Sequence, residues 1–147
     1  MYAMTISELK AGGFTQVGIL TTQKPPQARR RKHGVYFVGS APLDNGVYFL
    51  AHKHEIIKFG DTQGESGLTN RINAYLCNHG KTNSAVRLAL ENDVTYEIYF
   101  YPVIAEMVTL FGLPVKRSIS PRSLEKALLE DFQQKTGFRP PLNRICR

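Results

Sequence analysis

Two β-rich runs, residues 47–51 (Val-Tyr-Phe-Leu-Ala) and 55–60 (Glu-Ile-Ile-Lys-Phe-Gly), are parted only by His52-Lys53-His54. A connection that short leaves two extended segments little choice but to fold back on each other as an antiparallel hairpin. Side chains alternate along a strand, so the parity of the loop decides which residues of the two runs share a face. Tyr48 and Lys58 share one if they pair directly, through an odd-length loop or a bulge. A four-residue turn would set Phe59 opposite Tyr48 and turn Lys58 away. The odd loop is the expectation.

Other segments group around this hairpin. Residues 34–38 form another short β-rich run, and Gly-Val-Tyr-Phe occurs twice, at 34–37 and 46–49. Residues 94–101 alternate Tyr96, Ile98 and Phe100 against Thr95, Glu97 and Tyr99, the period of a half-buried strand. Helices fit residues 68–79, where Leu68, Ile72, Tyr75 and Leu76 fall on one stripe, and residues 84–92. Ile104, Met107, Val108 and Phe111 suggest a further helical stretch closed by Gly112 and Pro114. The best-marked helix comes last: Ser120 as cap, Pro121 in the first turn, Leu124, Leu128 and Phe132 as the buried stripe, Gly137 as the stop. The proline-rich tail, 138–143, is expected to be extended. Ahead of all this, residues 1–33 read as a basic lead-in, with a short helix over 6–11, Pro25-Pro26, and the run Arg29-Arg30-Arg31-Lys32. The order predicts an α+β domain over 34–147, a small antiparallel sheet of three or four strands flanked by helices.

At 147 residues the chain suits one domain with a real core. No apolar stretch is long enough to span a bilayer and the N-terminus lacks signal-peptide character, so a cytoplasmic protein is expected. Two cysteines, Cys77 and Cys146, are too few and too far apart for a disulfide scaffold or a zinc site. A net charge of +7 favours a polyanionic partner, since each neutralised phosphate releases counterions. The arginine-lysine arm is either a phosphate contact or a solvated leader.

Gly46-Val47-Tyr48 followed by Lys58-Phe59-Gly60 resembles the paired motif of the GIY-YIG nucleases. Further features follow in that family's order. Thr62 stands where members often carry Ser or Thr. Leu68 to Ile72 (Leu-Thr-Asn-Arg-Ile) is similar to the arginine helix, and Tyr75 takes the place of a Tyr or His. Leu124 to Leu128 resembles the helix that bears the metal-binding glutamate, and Pro140-Pro141-Leu142-Asn143 the closing asparagine motif. The match spans residues 46–143. It departs at Lys58, where members carry a second tyrosine, and at 103–119, which reads as an insertion.

The resemblance implies a divalent-metal-dependent endonuclease acting on double-stranded DNA, restriction-like or phage-like, as a homodimer if both strands are cut. Glu125 would hold one Mg²⁺ or Mn²⁺, with water and phosphate oxygens filling the other positions. Its bland alternative is an exposed charge near a helix N-terminus, and Glu130 is the fallback ligand. Arg71 would grip the scissile phosphate through its fork of donors, and Tyr75, four residues on, would add a hydroxyl contact. Tyr48 would be the general base for the attacking water, or would orient it. A free phenol ionises near pH 10, so using one at pH 7 requires about 4 kcal/mol of local electrostatics. Lys58 would place a cation where phosphoryl charge develops, and Asn143 would hydrogen-bond the site's backbone or Tyr48 and anchor the tail. The rival from another class is a non-catalytic nucleic-acid-binding module that keeps the fold.

Overall fold

In the computed structural model the hairpin turns on two residues rather than three. Lys53 (φ 49°) and His54 (φ 68°) are both left-handed, as the tight turns matching strand twist require. They join β3 (Gly46–His52) to β4 (Glu55–Thr62), and pairing starts as His52 with Glu55 and Ala51 with Ile56. It then shifts by one: the next pair is Leu50 with Lys58, so Ile57 is the extra residue of a β-bulge. From there on Phe49 pairs with Phe59 and Tyr48 with Gly60. The bulge restores the parity that an even loop would have spoiled. Lys58 therefore shares the face of Tyr48, but its direct partner is Leu50.

The structure describes residues 4–21, 34–37, 45–62, 67–73, 86, 89, 94–103, 106–117 and 120–144. After α1 (Ile6–Ala11) come β1 (Thr15–Thr21) and β2 (Gly34–Phe37), then the hairpin and α2 (Gly67–Asn73). β5 (Tyr96–Pro102), β6 (Glu106–Leu110), β7 (Leu113–Arg117), α3 (Pro121–Thr136) and a 3-10 turn (Pro141–Arg144) complete the chain. Five strands form one antiparallel sheet in the order β2-β1-β5-β3-β4, and β6 pairs with β7 in a separate two-stranded sheet. The class is α+β, as expected, with a sheet larger than three or four strands. The addition is β1, which lies in the stretch read as a lead-in. It pairs with both β5 and β2, so this stretch supplies an inner strand. Gly18 and the polar Thr15 and Gln16 blur its alternation, which is why pattern alone passed over it.

The sheet is covered on both faces. Tyr48, Leu50, Ile57, Ile98 and Phe100 face Leu68 and Ile72 of α2, together with Val86. The alternate residues Val47, Phe49, Ala51, Phe59 and Tyr99 face Leu9 of α1, Phe14, and Phe132 with Leu124, Leu128 and Leu129 of α3. Inner strand β3 is thus buried on both sides. Aromatic rings knit the second face: Phe49 stacks on Tyr99 at 4.6 Å, and Phe59 meets Phe132 edge-on at 6.1 Å. Among the described residues no helix is long and apolar enough to cross a membrane.

Two local expectations need correction. Residues 106–117 are a hairpin, not a helix: Phe111 (φ 55°) and Gly112 (φ 74°) make a two-residue turn, flanked by the β-branched Val108, Thr109 and Val115. Four apolar residues at mixed spacing could not tell the two periods apart. The tail likewise is not extended throughout, because proline is compatible with a first helical turn, and Asn143 N–H donates to Pro140 O at 2.9 Å. α3 runs between Pro121 and Gly137 as its signals predicted, although the Ser120 side chain makes no capping bond.

Candidate active site

The two glycines of the paired motif are there because nothing larger fits. A Cβ on Gly60 would strike the ring and hydroxyl of Tyr48, its cross-strand partner, with Cε1 at 2.6 Å. A Cβ on Gly46 would strike the Tyr101 carbonyl oxygen and approach Phe100 Cζ to 2.9 Å. Gly46 pairs with Thr62, whose hydroxyl accepts from Gly46 N–H at 3.0 Å and donates back to its carbonyl at 3.4 Å. Tyr48 is thereby laid flat over the glycine at one end of a strand pair that Thr62 closes.

Lys58 comes from the bulge side of the same face. Its ammonium donates to the carbonyl of Phe59 at 3.2 Å. That carbonyl has a second donor, Asn143 Nδ2 at 3.0 Å, while Phe59 N–H donates to Asn143 Oδ1 at 2.8 Å. β4 is the edge strand, so Phe59's outward N–H and C=O have no strand to pair with. One asparagine side chain replaces the missing strand at that residue and ties the tail to the backbone that Lys58 also holds. Sequence reasoning placed Asn143 at the site's backbone, but nothing in the sequence pointed to Phe59 as the meeting point.

Burial separates the candidates. Tyr48 is 0% exposed and Lys58 1%, so both are closed to solvent in this conformation. Arg71 is half-exposed on α2, between Leu68 and Ile72, which seat that helix on the Tyr48 face. Glu125 is 8% exposed, not the surface charge of its bland alternative. It lies four and seven residues before Leu129 and Phe132, on the stripe by which α3 meets the opposite face of the sheet. Glu130, the fallback ligand, is exposed. The structure thus brings Tyr48, Lys58 and α2 with Arg71 to one face, and sets Glu125 on a helix packed against β4 and β3 from the other. Tyr75 and the arm Arg29, Arg30, Arg31 and Lys32 lie outside the described residues. The second Gly-Val-Tyr copy, with Tyr36, is on β2 at the far edge of the sheet from β4.

Among the described residues, Lys58 and Glu125 are the only charged residues that are buried. Taking a charge out of water costs several kcal/mol unless it is well compensated, so such groups are rare in a fold without a task for them. No group of three or more His, Cys, Asp or Glu side chains comes together among the described residues.

No family model and no curated protein matches the chain. Among solved structures it is similar to restriction endonuclease HPY188I in complex with product DNA, with a TM-score of 0.54 and 17% identity over 94% of this chain and 84% of that one. It is also similar to a mutant of bacteriophage T4 EndoII, with a TM-score of 0.59 and 19% identity over 94% of this chain and 98% of that one. The chain therefore shares the fold of these two structures.

Proposed function

We propose that this protein is a divalent-metal-dependent endonuclease of the GIY-YIG type that hydrolyses phosphodiester bonds of double-stranded DNA. One observation carries the reading: the only two buried charges among the described residues, Lys58 and Glu125, are two of the six residues singled out for catalysis by motif. The shared fold adds to it, since one neighbour is a restriction endonuclease held with product DNA.

In this reading Tyr48 takes the proton from the attacking water or orients it, with its phenol held against Gly60. Lys58 places its ammonium against the charge that builds on the phosphoryl oxygens, and Arg71 grips the phosphate with two donors. Tyr75 adds a hydroxyl contact, and Asn143 is a positioning residue that fixes the strand beneath Lys58. Glu125, although α3 packs on the other face of the sheet, is the carboxylate the resemblance offers for a cation such as Mg²⁺, which would keep most of its waters and take further ligands from phosphate. When bound, the ion would offset charge on the leaving oxygen. Tyr48 and Lys58 are closed to solvent, a setting in which charge interactions are stronger than in water.

The same burial favours a second reading, a nucleic-acid-binding module that keeps the fold without hydrolysis. Nicking of supercoiled plasmid with and without Mg²⁺ separates the two. Under the nuclease reading Tyr48→Phe slows nicking by about 100-fold or more, while Tyr36→Phe stays within a few-fold. Glu125→Gln should abolish cleavage and leave DNA affinity intact. Metal-independent binding with no nicking at any Mg²⁺ or Mn²⁺ concentration would select the module instead.

A further inference from the structure

The β6–β7 hairpin is a two-stranded sheet that pairs with no strand of the main sheet. Among the described residues, neither of its strands packs extensively against any other element. Each strand has five residues, so the ribbon is about 17 Å long. Phe111 stands at its tip and is 102% exposed. That residue is also strained. Phe111 (φ 55°) and Gly112 (φ 74°) form the two-residue turn, and positive φ at both positions favours Asn or Gly. A bulky side chain adopts this backbone at a cost, and a fully exposed ring recovers none of it by burial. Strain that folding does not reward points to a task outside the fold.

We propose that Phe111 is a wedge, which the hairpin drives between adjacent base pairs of duplex DNA through the minor groove. The inference rests on the endonuclease reading for its partner. The tip, residues 110–114 (Leu-Phe-Gly-Leu-Pro), has no hydrogen-bonding side chain, so no side chain there can read base edges by donors and acceptors. Apolar side chains act on DNA instead by entering the stack, which unstacks a step and kinks the duplex. The hairpin's charged residues, Glu106, Lys116 and Arg117, all stand at its base, with cations in excess. That is one ribbon length behind the tip, where the phosphates flanking a groove would lie. A second copy of the chain fits this surface less well. One face carries only Val108, Leu110, Leu113 and Val115, while Met107 lies on the other with Lys116. Its apolar area falls well short of the about 800 Å² per partner of a stable interface. The net charge of +7 opposes a like chain and favours DNA.

The test titrates the full chain, in EDTA to prevent cleavage, against random-sequence duplexes carrying 2-aminopurine, whose fluorescence rises when it unstacks. Binding of the parent should raise that fluorescence. Phe111→Gly and Phe111→Ala should bind at least about 10-fold more weakly and without the rise, whereas Phe111→Trp should keep both. Phe111→Gly should melt no lower than the parent, because glycine relieves the turn, so its loss of binding is not unfolding. A parent that binds without a rise, or a Phe111→Gly variant that binds and unstacks as the parent does, overturns the wedge. If that parent still nicks plasmid with Mg²⁺, the endonuclease reading stands alone. Phe111-dependent unstacking with no nicking at any metal concentration supports the wedge and sinks the endonuclease reading. A parent that binds no duplex overturns both. A Phe111→Gly variant that changes the sedimentation mass and not the DNA affinity assigns the tip to a protein contact, and overturns the wedge as well.

Discussion

Gly60→Ala isolates the geometry of the site from its chemistry. The new methyl would stand 2.6 Å from Tyr48 Cε1 and nearer still to Cζ and the hydroxyl. Carbon atoms in contact prefer about 3.5–4.0 Å, so the pair must part by about 1 Å. Tyr48 is fully buried between β4 and β5, so its ring cannot swing into solvent. Overpacking of this kind costs about 1–3 kcal/mol. In a domain of this size that lowers Tm by roughly 3–10 °C. Gly137→Ala is the control: φ is 87° and nothing lies within 4 Å of the added carbon, so only backbone strain of about 1 kcal/mol applies. The hydroxyl is one of the clashing atoms, so Tyr48→Phe should cost less in the Gly60→Ala background than in the parent, a coupling that a double-mutant cycle of thermal melts measures. Plasmid nicking by Gly60→Ala should fall about 100-fold, the effect of misplacing a reacting group by about 1 Å. A Gly60→Ala melt within 1 °C of the parent, or strict additivity with Tyr48→Phe, would refute the packing argument.

Three further outcomes are expected. Asn143→Ala removes the acceptor of the Phe59 N–H and one of the two donors to the Phe59 carbonyl, leaving that of Lys58, and should destabilise by roughly 2 kcal/mol in urea melts; Asn143→Asp should be no better, because its second oxygen would face the Phe59 carbonyl. Tyr99 is pushed up to about 12 by burial first, then by its hydrogen bond to Glu97 and that carboxylate's charge. The folded chain holds this proton while the unfolded chain releases it near its ordinary value of 10.0, so stability is lost as pH climbs from 10 to about 12. Tyr96 is raised by burial and slopes the same way, so the check is that Tyr99→Phe loses stability less steeply than the parent across that window. If Arg29, Arg30, Arg31 and Lys32 touch phosphates, replacing all four by Ala should flatten log affinity against log salt by roughly 0.9 per lost contact, and an unchanged slope makes the arm a solvated leader.

What the sequence determined by itself is what neighbours along the chain decide. The short spacing between the two β runs dictates a hairpin, the strict alternation from Tyr96 to Phe100 dictates a strand, and Pro121 and Gly137 bound the last helix, because each signal acts through a few adjacent dihedrals. The motif glycines were legible too, though not why they are glycine. The remainder was decided by partners distant in sequence. Thr15–Thr21 is a strand because β5 and β2 claim its backbone. The face of Lys58 depends on one bulged residue, Ile57, which exists only in the pairing of β4 with β3. Asn143 finds Phe59 across 84 residues because an edge strand leaves an amide unpaired. Glu125 looks like any exposed helix charge until α3 is laid on the sheet and its buried stripe is seen to include it. Burial and register are properties of two surfaces meeting, so a pattern along one of them does not contain the answer.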